Sequence, residues 1–120
     1  MKIAITATET GLGAKVDPRF GRAPGFMVVE NEDKSFEYVS NTANAGAAQG
    51  AGIAAAQTVA NAGAGAVITG HCGPKAFAAL QAANIAVYTT TAATVEEALA
   101  EYNEGKLQAL TSSDKAGHWA

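Results

Sequence analysis

The chain of 120 residues contains one cysteine and few aromatic residues. A single cysteine excludes an internal disulfide framework, and it excludes any zinc or iron–sulfur site that takes several cysteines from one chain. No apolar run reaches the roughly 18 residues of a membrane span, and the opening residues, MKIAITATE, are typical of a strand rather than a signal peptide. We therefore expect a cytoplasmic protein that does not bind membranes.

Positive charge is also scarce. Eight Lys and Arg residues against eleven Asp and Glu residues give a net charge of −3 and a pI near 5.2. This balance lacks the basic surface typical of nucleic-acid-binding proteins, so no nucleic-acid partner is expected. Small residues are in excess, with 29 alanines and 13 glycines. They predict thin helices packed close to a sheet, and loops whose backbone N–H groups a ligand can reach.

Hydrophobic periodicity predicts a single α/β domain over residues 1–110, followed by a loose tail over residues 111–120. The predicted strands are 2–7, 26–30, 35–40, 66–69 and 85–88, and the predicted helices are 49–62, 74–83 and 94–103. Pro74 marks one helix start, and Thr94 with Glu97 forms a capping box that marks another. A hairpin followed by β–α–β–α predicts a five-stranded mixed sheet with helices on its faces.

The loop over residues 8–25 is a candidate binding region, because loops of this length are usually functional. It follows the first strand, and ligands of such sheets bind beyond the carboxyl ends of parallel strands. Lys15, Arg19 and Arg22 place three of the eight basic residues in this loop. Their positive potential suits a delocalised anion. Alternatively, Asp17 and neighbouring carboxylates pair with the arginines and pin the loop.

The segment TGHCGPK, residues 69–75, is the second candidate. It contains the only cysteine, Cys72, beside His71, and it leads into a helix N-terminus. A helix N-terminus favours anions and makes a nearby thiol more reactive. His71 and Cys72 could contact copper, zinc or another thiophilic metal, although two ligands make an incomplete site. Alternatively, Cys72 is a small buried core residue and His71 a hydrogen-bonded surface residue.

Four segments carry a family resemblance: KIAITATE, VDPRFGRAPGF, VITGHCGPKAFAALQAANIAVY and TVEEALAEYNEGKL. Together they resemble the dinitrogenase iron–molybdenum cofactor biosynthesis family over residues 1–110. The resemblance implies a ribonuclease H-like α/β fold and a protein that binds or carries a metal–sulfur cofactor rather than an enzyme. Many members have a histidine before F-G-R. This sequence has Arg19 there, which favours electrostatic holding of an anionic cluster.

The resemblance further implies that the cofactor is a preassembled molybdenum–copper sulfide cluster that brings its own sulfur. Protein partners in cluster delivery would follow from that role. The predicted cofactor-binding residues are Lys15, Arg19, Gly21, Arg22, Gly70, His71, Cys72, Gly73 and Lys75, with His71 and Cys72 as the candidate metal contacts. Two other hypotheses stay open at this point. One is an enzyme that uses the Cys72 thiolate, and the other is a cofactor-free module that binds a partner through its small-residue helix faces.

Overall fold

The computed structural model describes residues 1–46 and 50–111. Its elements, in chain order, are β1 (Lys2–Ala7), β2 (Gly25–Glu30), β3 (Phe36–Ser40), α1 (Thr42–Ala45), α2 (Ala51–Asn61), β4 (Ala64–Thr69), α3 (Pro74–Ala82), β5 (Ala86–Thr89) and α4 (Val95–Asn103). The predicted α/β domain with a five-stranded mixed sheet is confirmed. The predicted start of α2 at residue 49, and the predicted tail beyond residue 111, lie outside the described residues.

The sheet has the strand order β3-β2-β1-β4-β5. β2 pairs antiparallel with β1 and β3, whereas β4 pairs parallel with β1 and β5. β1, β3, β4 and β5 therefore run in one direction and end at the same edge of the sheet, which we call the carboxyl edge. α1, α3 and α4 each begin after a strand that ends there, and α2 follows α1, so the helix N-termini gather at this edge. Among the described residues, no helix is long and apolar enough to cross a membrane.

Each face of the sheet carries its own hydrophobic core. β1 shows why, because Ile3 and Ile5 point to one face while Ala4 points to the other. α4 covers the Ile3 and Ile5 face, and α2 and α3 cover the Ala4 face. The small residues of β1 and α2 let α2 and α3 lie close to the sheet. The alanine surplus in the composition is therefore used in helix–sheet packing.

The structure differs from the sequence prediction in its details at helix ends. The four-residue helix α1 was not predicted, because one turn gives no hydrophobic periodicity. At α4, the Thr94 hydroxyl accepts a hydrogen bond from the Glu97 N–H at 3.2 Å, as predicted. The Glu97 carboxylate, however, accepts from the Ala93 N–H at 3.1 Å rather than from the Thr94 N–H, which a capping box normally uses. The capping box is thus formed with its second bond moved by one residue.

Candidate functional site

The two candidate segments lie side by side at the carboxyl edge. The His71 N–H donates to the Pro18 carbonyl oxygen at 2.8 Å, and the Phe20 N–H donates to the His71 carbonyl oxygen at 3.4 Å. These bonds pair the backbone of Arg19 with that of His71 in parallel. The buried side chain of Thr6 at the end of β1 donates to the Asp17 carbonyl oxygen at 2.6 Å. The basic loop is therefore fixed against both β1 and the segment after β4.

Gly70 makes the approach of these two segments possible. A Cβ atom at this position would lie 2.5 Å from Pro18 Cα and 2.8 Å from the Pro18 carbonyl oxygen. Only a residue without a side chain fits so close to another backbone. Gly70 itself lies outside the main cavity described below and lines a smaller polar one beside Thr89–Thr91.

A stack of small residues brings α2 and α3 together. A Cβ atom on Gly21 would lie 2.9 Å from Gly52 Cα, and one on Gly52 would lie 2.9 Å from Ala76 Cβ. The basic loop, the first turn of α2 and the first turn of α3 are therefore packed without room for a larger side chain. Gly52 and Ala76 gave no local signal, because the contact joins residues that are far apart in the chain.

A cavity of about 490 Å³ opens where these three elements meet. Its lining consists of Arg19, Phe20, Gly21, Arg22, Gly50, Ala51, Gly52, Ile53, His71, Gly73, Pro74, Lys75 and Ala76. Six of the nine predicted site residues are among them: Arg19, Gly21, Arg22, His71, Gly73 and Lys75. The described lining contains three cationic side chains and no acidic one. Sequence reasoning missed its α2 side, which includes the exposed Ile53.

Two helix N-termini line this cavity. α2 begins after Gly50, whose φ of 75° is the left-handed conformation that glycine adopts without strain, and α3 begins after Gly73. No described side chain caps either helix. The first N–H groups of a helix have no partner within the helix, and the macrodipole adds about half a positive charge there. Both helix ends therefore favour an anion in the cavity.

Arg19 is held by a buried carboxylate at the rim of the cavity. Its Nε and Nη2 atoms donate to Asp17 Oδ1 and Oδ2 at 3.2 and 3.1 Å, and its backbone N–H donates to Oδ1 at 2.9 Å. Burial alone would raise the pKa of Asp17, but the hydrogen bonds and charge of Arg19 outweigh it and lower the pKa. Arg19 is therefore paired with a carboxylate, as the alternative interpretation of the loop expects. It nevertheless lines the cavity.

Residues 1–105 match the protein family described as dinitrogenase iron–molybdenum cofactor. The chain belongs to this family. An uncharacterized protein of Methanocaldococcus jannaschii is 35% identical over 111 residues, which cover 90% of each chain. The apo structure of the orange protein from Desulfovibrio gigas superposes with a TM-score of 0.92 at 46% identity, over 95% of this chain and 96% of that one. A candidate NifB protein from Thermotoga gives a TM-score of 0.83 at 33% identity, over 97% of this chain and 98% of that one.

In this member of the dinitrogenase cofactor family, two predicted site residues besides Gly70 lie away from the cavity. Lys15 is in an extended bridge with Thr94, at the start of α4, and does not line the cavity. Cys72 is fully buried in the core beneath α2 and α3. Its surroundings match the alternative interpretation of Cys72 as a small buried core residue. In this position the thiol is not accessible to a substrate.

His71 is the remaining candidate metal contact of this family member. It is half-buried and lines the cavity, and its Nδ1 atom is enclosed by protein. Among residues 1–46 and 50–111, no group of three or more His, Cys, Asp or Glu side chains is arranged to hold a metal ion. A ligand in this cavity would therefore meet backbone N–H groups, cations, apolar surface and one imidazole.

Proposed function

We propose that this chain binds and carries a preassembled metal–sulfur cluster, a molybdenum–copper sulfide, as its cargo. The observation that carries the proposal is the convergence of two helix N-termini without described side-chain caps on one cationic cavity. Family membership supports the cargo class. The 46% identical orange protein is described as an apo form, which implies that this relative also has a loaded form.

The chemistry of the lining suits such a cargo. A thiomolybdate–copper cluster is a bulky, polarisable anion whose charge is spread over several sulfides. Arg19 offers a weakly hydrated guanidinium that pairs well with diffuse charge, and Ile53 offers apolar contact. A cavity of about 490 Å³ lies within the range of ordinary small-ligand sites. Charge, donors and apolar surface are therefore all present at one place.

Protein thiolates have no part in the proposal. Cys72 is buried away from the cavity, so the sulfur arrives with the cluster. His71 is the lining residue whose nitrogen can ligate copper, because imidazole is a good ligand of that metal. The cluster is held mainly by electrostatic and hydrogen-bond contacts, with His71 as its one protein ligand to metal.

The direct test mixes the metal-free protein with tetrathiomolybdate and a copper salt. We expect a visible charge-transfer spectrum that stays with the protein through desalting, together with molybdenum and copper in a fixed ratio to protein. Colour that elutes with the small molecules would overturn the proposal. The same protein remaining metal-free with every metal–sulfur mixture would favour the cofactor-free interaction module.

A matched pair of lysine variants locates the binding site. Lys75 lines the cavity at the first turn of α3, whereas Lys15 lies at the start of α4. We expect Lys75→Gln to weaken cluster binding about tenfold at low salt, which is a typical effect for one unscreened charge, and less at high salt. Lys15→Gln should leave affinity unchanged. Equal losses from both variants would mean that net charge, rather than this cavity, attracts the cluster.

A further inference from the structure

The contact between Asp17 and Arg19 is unusual for a site that attracts anions. Asp17 is 5% exposed, and its two carboxylate oxygens accept three hydrogen bonds from Arg19. The Arg19 side chain is 58% exposed and lines the cavity. A buried negative charge thus lies directly behind one of the three cations that the proposed cargo would meet.

The backbone that bears the carboxylate is held by β1. The Asp17 N–H donates to the Thr6 carbonyl oxygen at 3.0 Å, and the Thr6 hydroxyl donates to the Asp17 carbonyl oxygen at 2.6 Å. Thr6 is fully buried at the end of β1. Arg19 is meanwhile paired through its backbone with His71. The backbone segments that bear the carboxylate and the guanidinium are therefore both tied to the sheet.

The contact leaves a defined edge of the guanidinium available. Nε and Nη2 donate to Asp17, and the Nη1 amino group forms no hydrogen bond with any described residue. A guanidinium is planar, so a two-point contact with a carboxylate fixes its orientation as well as its position. An arginine that is already ordered loses less side-chain freedom when a ligand binds.

We propose that Asp17 is a positioning residue for the cargo site: it orients Arg19 so that the Nη1 edge of the guanidinium faces the anion. This inference rests on the proposed function. A positioning role for Asp17 predicts the opposite effect on anion binding from its negative charge alone. If Asp17 acts only through its charge, removing it strengthens binding of an anion. If it positions Arg19, removing it weakens binding, because the guanidinium becomes mobile.

The Asp17→Asn substitution separates the two effects. It removes the charge with little change in shape, and it replaces one oxygen by an NH₂ group that cannot accept from Nη2. Affinity for the cluster formed from tetrathiomolybdate and copper is measured for wild type, Asp17→Asn, Arg19→Gln and the double variant. We expect about a fivefold loss from Asp17→Asn when Arg19 is present, and no loss or a small gain when Arg19→Gln is present.

Each outcome has one meaning. Unchanged or tighter binding of Asp17→Asn with Arg19 present overturns the inference and leaves the proposed function standing. An equal loss in both backgrounds assigns Asp17 a structural role only, and it too overturns the inference. A wild-type protein that retains no cluster overturns the proposed function and this inference with it.

A readout that needs no cargo accompanies the cycle. In the wild type, the Arg19 Nε–H group is hydrogen-bonded to a carboxylate, so its NMR signal should be shifted and slow to exchange with water. Asp17→Asn should move that signal to the position of an exposed arginine, while the backbone spectrum away from residues 15–22 and their bonded neighbours Thr6 and His71 stays the same. An Arg19 signal that does not respond shows that Asp17 does not hold the side chain, whatever the affinities are.

Discussion

The first turns of α2 and α3 differ from the first turn of α4, although all three begin at the carboxyl edge of the sheet. In α4, the N–H groups of Val95 and Glu96 donate to the carbonyl oxygens of Ala14 and Leu12 at 2.9 and 2.8 Å, and the Glu97 N–H donates to Thr94. The loop after β1 and the capping threonine together use the donors of this helix. In α2, no described residue outside the helix accepts from the N–H groups of its first three residues. In α3, Pro74 has no N–H, and no described residue accepts from the N–H groups of Lys75 and Ala76.

This difference separates a helix start that stabilises the fold from two that can serve a ligand. A capping side chain contributes about 1 kcal/mol to stability relative to alanine at the N-cap, and only a few tenths of a kcal/mol relative to glycine. The glycines before α2 and α3 give up this small contribution. The first turns of both helices, without a capping side chain, line a cavity whose charged lining residues are cationic in the described part of the chain. The N-termini of α2 and α3 are available to an anionic ligand, whereas that of α4 is already satisfied by the protein.

The largest effect is expected at Gly70, where the segment after β4 packs against the loop after β1. In Gly70→Ala, the new Cβ atom would lie 2.5 Å from Pro18 Cα, and a backbone atom cannot move aside cheaply. We expect a loss of about 3 kcal/mol in the free energy of unfolding, at the upper end for overpacking, and loss of cluster binding. Denaturant unfolding measures the first and retention of colour the second.

Gly13→Ala is the matched control, because a Cβ atom there meets nothing within 4 Å. It should change stability by less than about 0.5 kcal/mol. Amide exchange at residues 95–97 should remain slow in Gly70→Ala below its unfolding transition, because α4 lies on the opposite face of the sheet from α2 and α3. Fast exchange at residues 95–97 would show that a change beside the cavity also loosens the start of α4.

Giving α3 a cap of the kind that α4 has should stabilise the protein and impair the site. Gly73 has an extended backbone that suits an N-cap residue, and a Cβ atom on it would meet nothing within 4 Å. In Gly73→Asp, the carboxylate would accept from the N–H groups of Lys75 or Ala76, because Pro74 has none. We expect a gain of about 0.5 kcal/mol in stability from the cap and the helix dipole, and at least a tenfold loss of cluster affinity, about 1.4 kcal/mol.

Gly73→Asn separates the two causes of that loss. It supplies a neutral cap that occupies the donors without adding negative charge to the cavity. We expect a similar gain in stability and a smaller loss of affinity. If Gly73→Asp binds the cluster as tightly as the wild type does, the N-terminus of α3 is not part of the site.

Much of the fold could be predicted from the sequence, because its signals are local. β1 was predicted with its observed bounds, since its apolar residues alternate, and Pro74 and Thr94 marked the starts of α3 and α4. The adjacency of the two candidate segments followed from the parallel arrangement of β1 and β4. Six of the predicted site residues consequently line one cavity.

The remaining features of the site depend on contacts that local patterns do not contain. The close approach of Gly52 and Ala76 joins two helices, so the α2 side of the cavity could not be predicted. Lys15 carries the right charge in the right loop, but its bridge to Thr94 places it at the start of α4. His71 lines the cavity, whereas the next residue, Cys72, lies in the core. A sequence alone does not show which way each of these side chains points.

The smallest effect is expected from uncapping α4, and it completes the comparison. In Thr94→Ala, the Glu97 N–H loses its acceptor, while Val95 and Glu96 keep theirs in the loop after β1. Loss of an N-cap hydroxyl costs about 1 kcal/mol, and Thr94→Ser, which keeps the hydroxyl, should cost only a few tenths. Neither change should alter cluster affinity, since α4 does not line the cavity. Weaker binding in Thr94→Ala but not in Thr94→Ser would show that the N-terminus of α4 is coupled to the site, because the two variants differ chiefly in that one hydrogen bond.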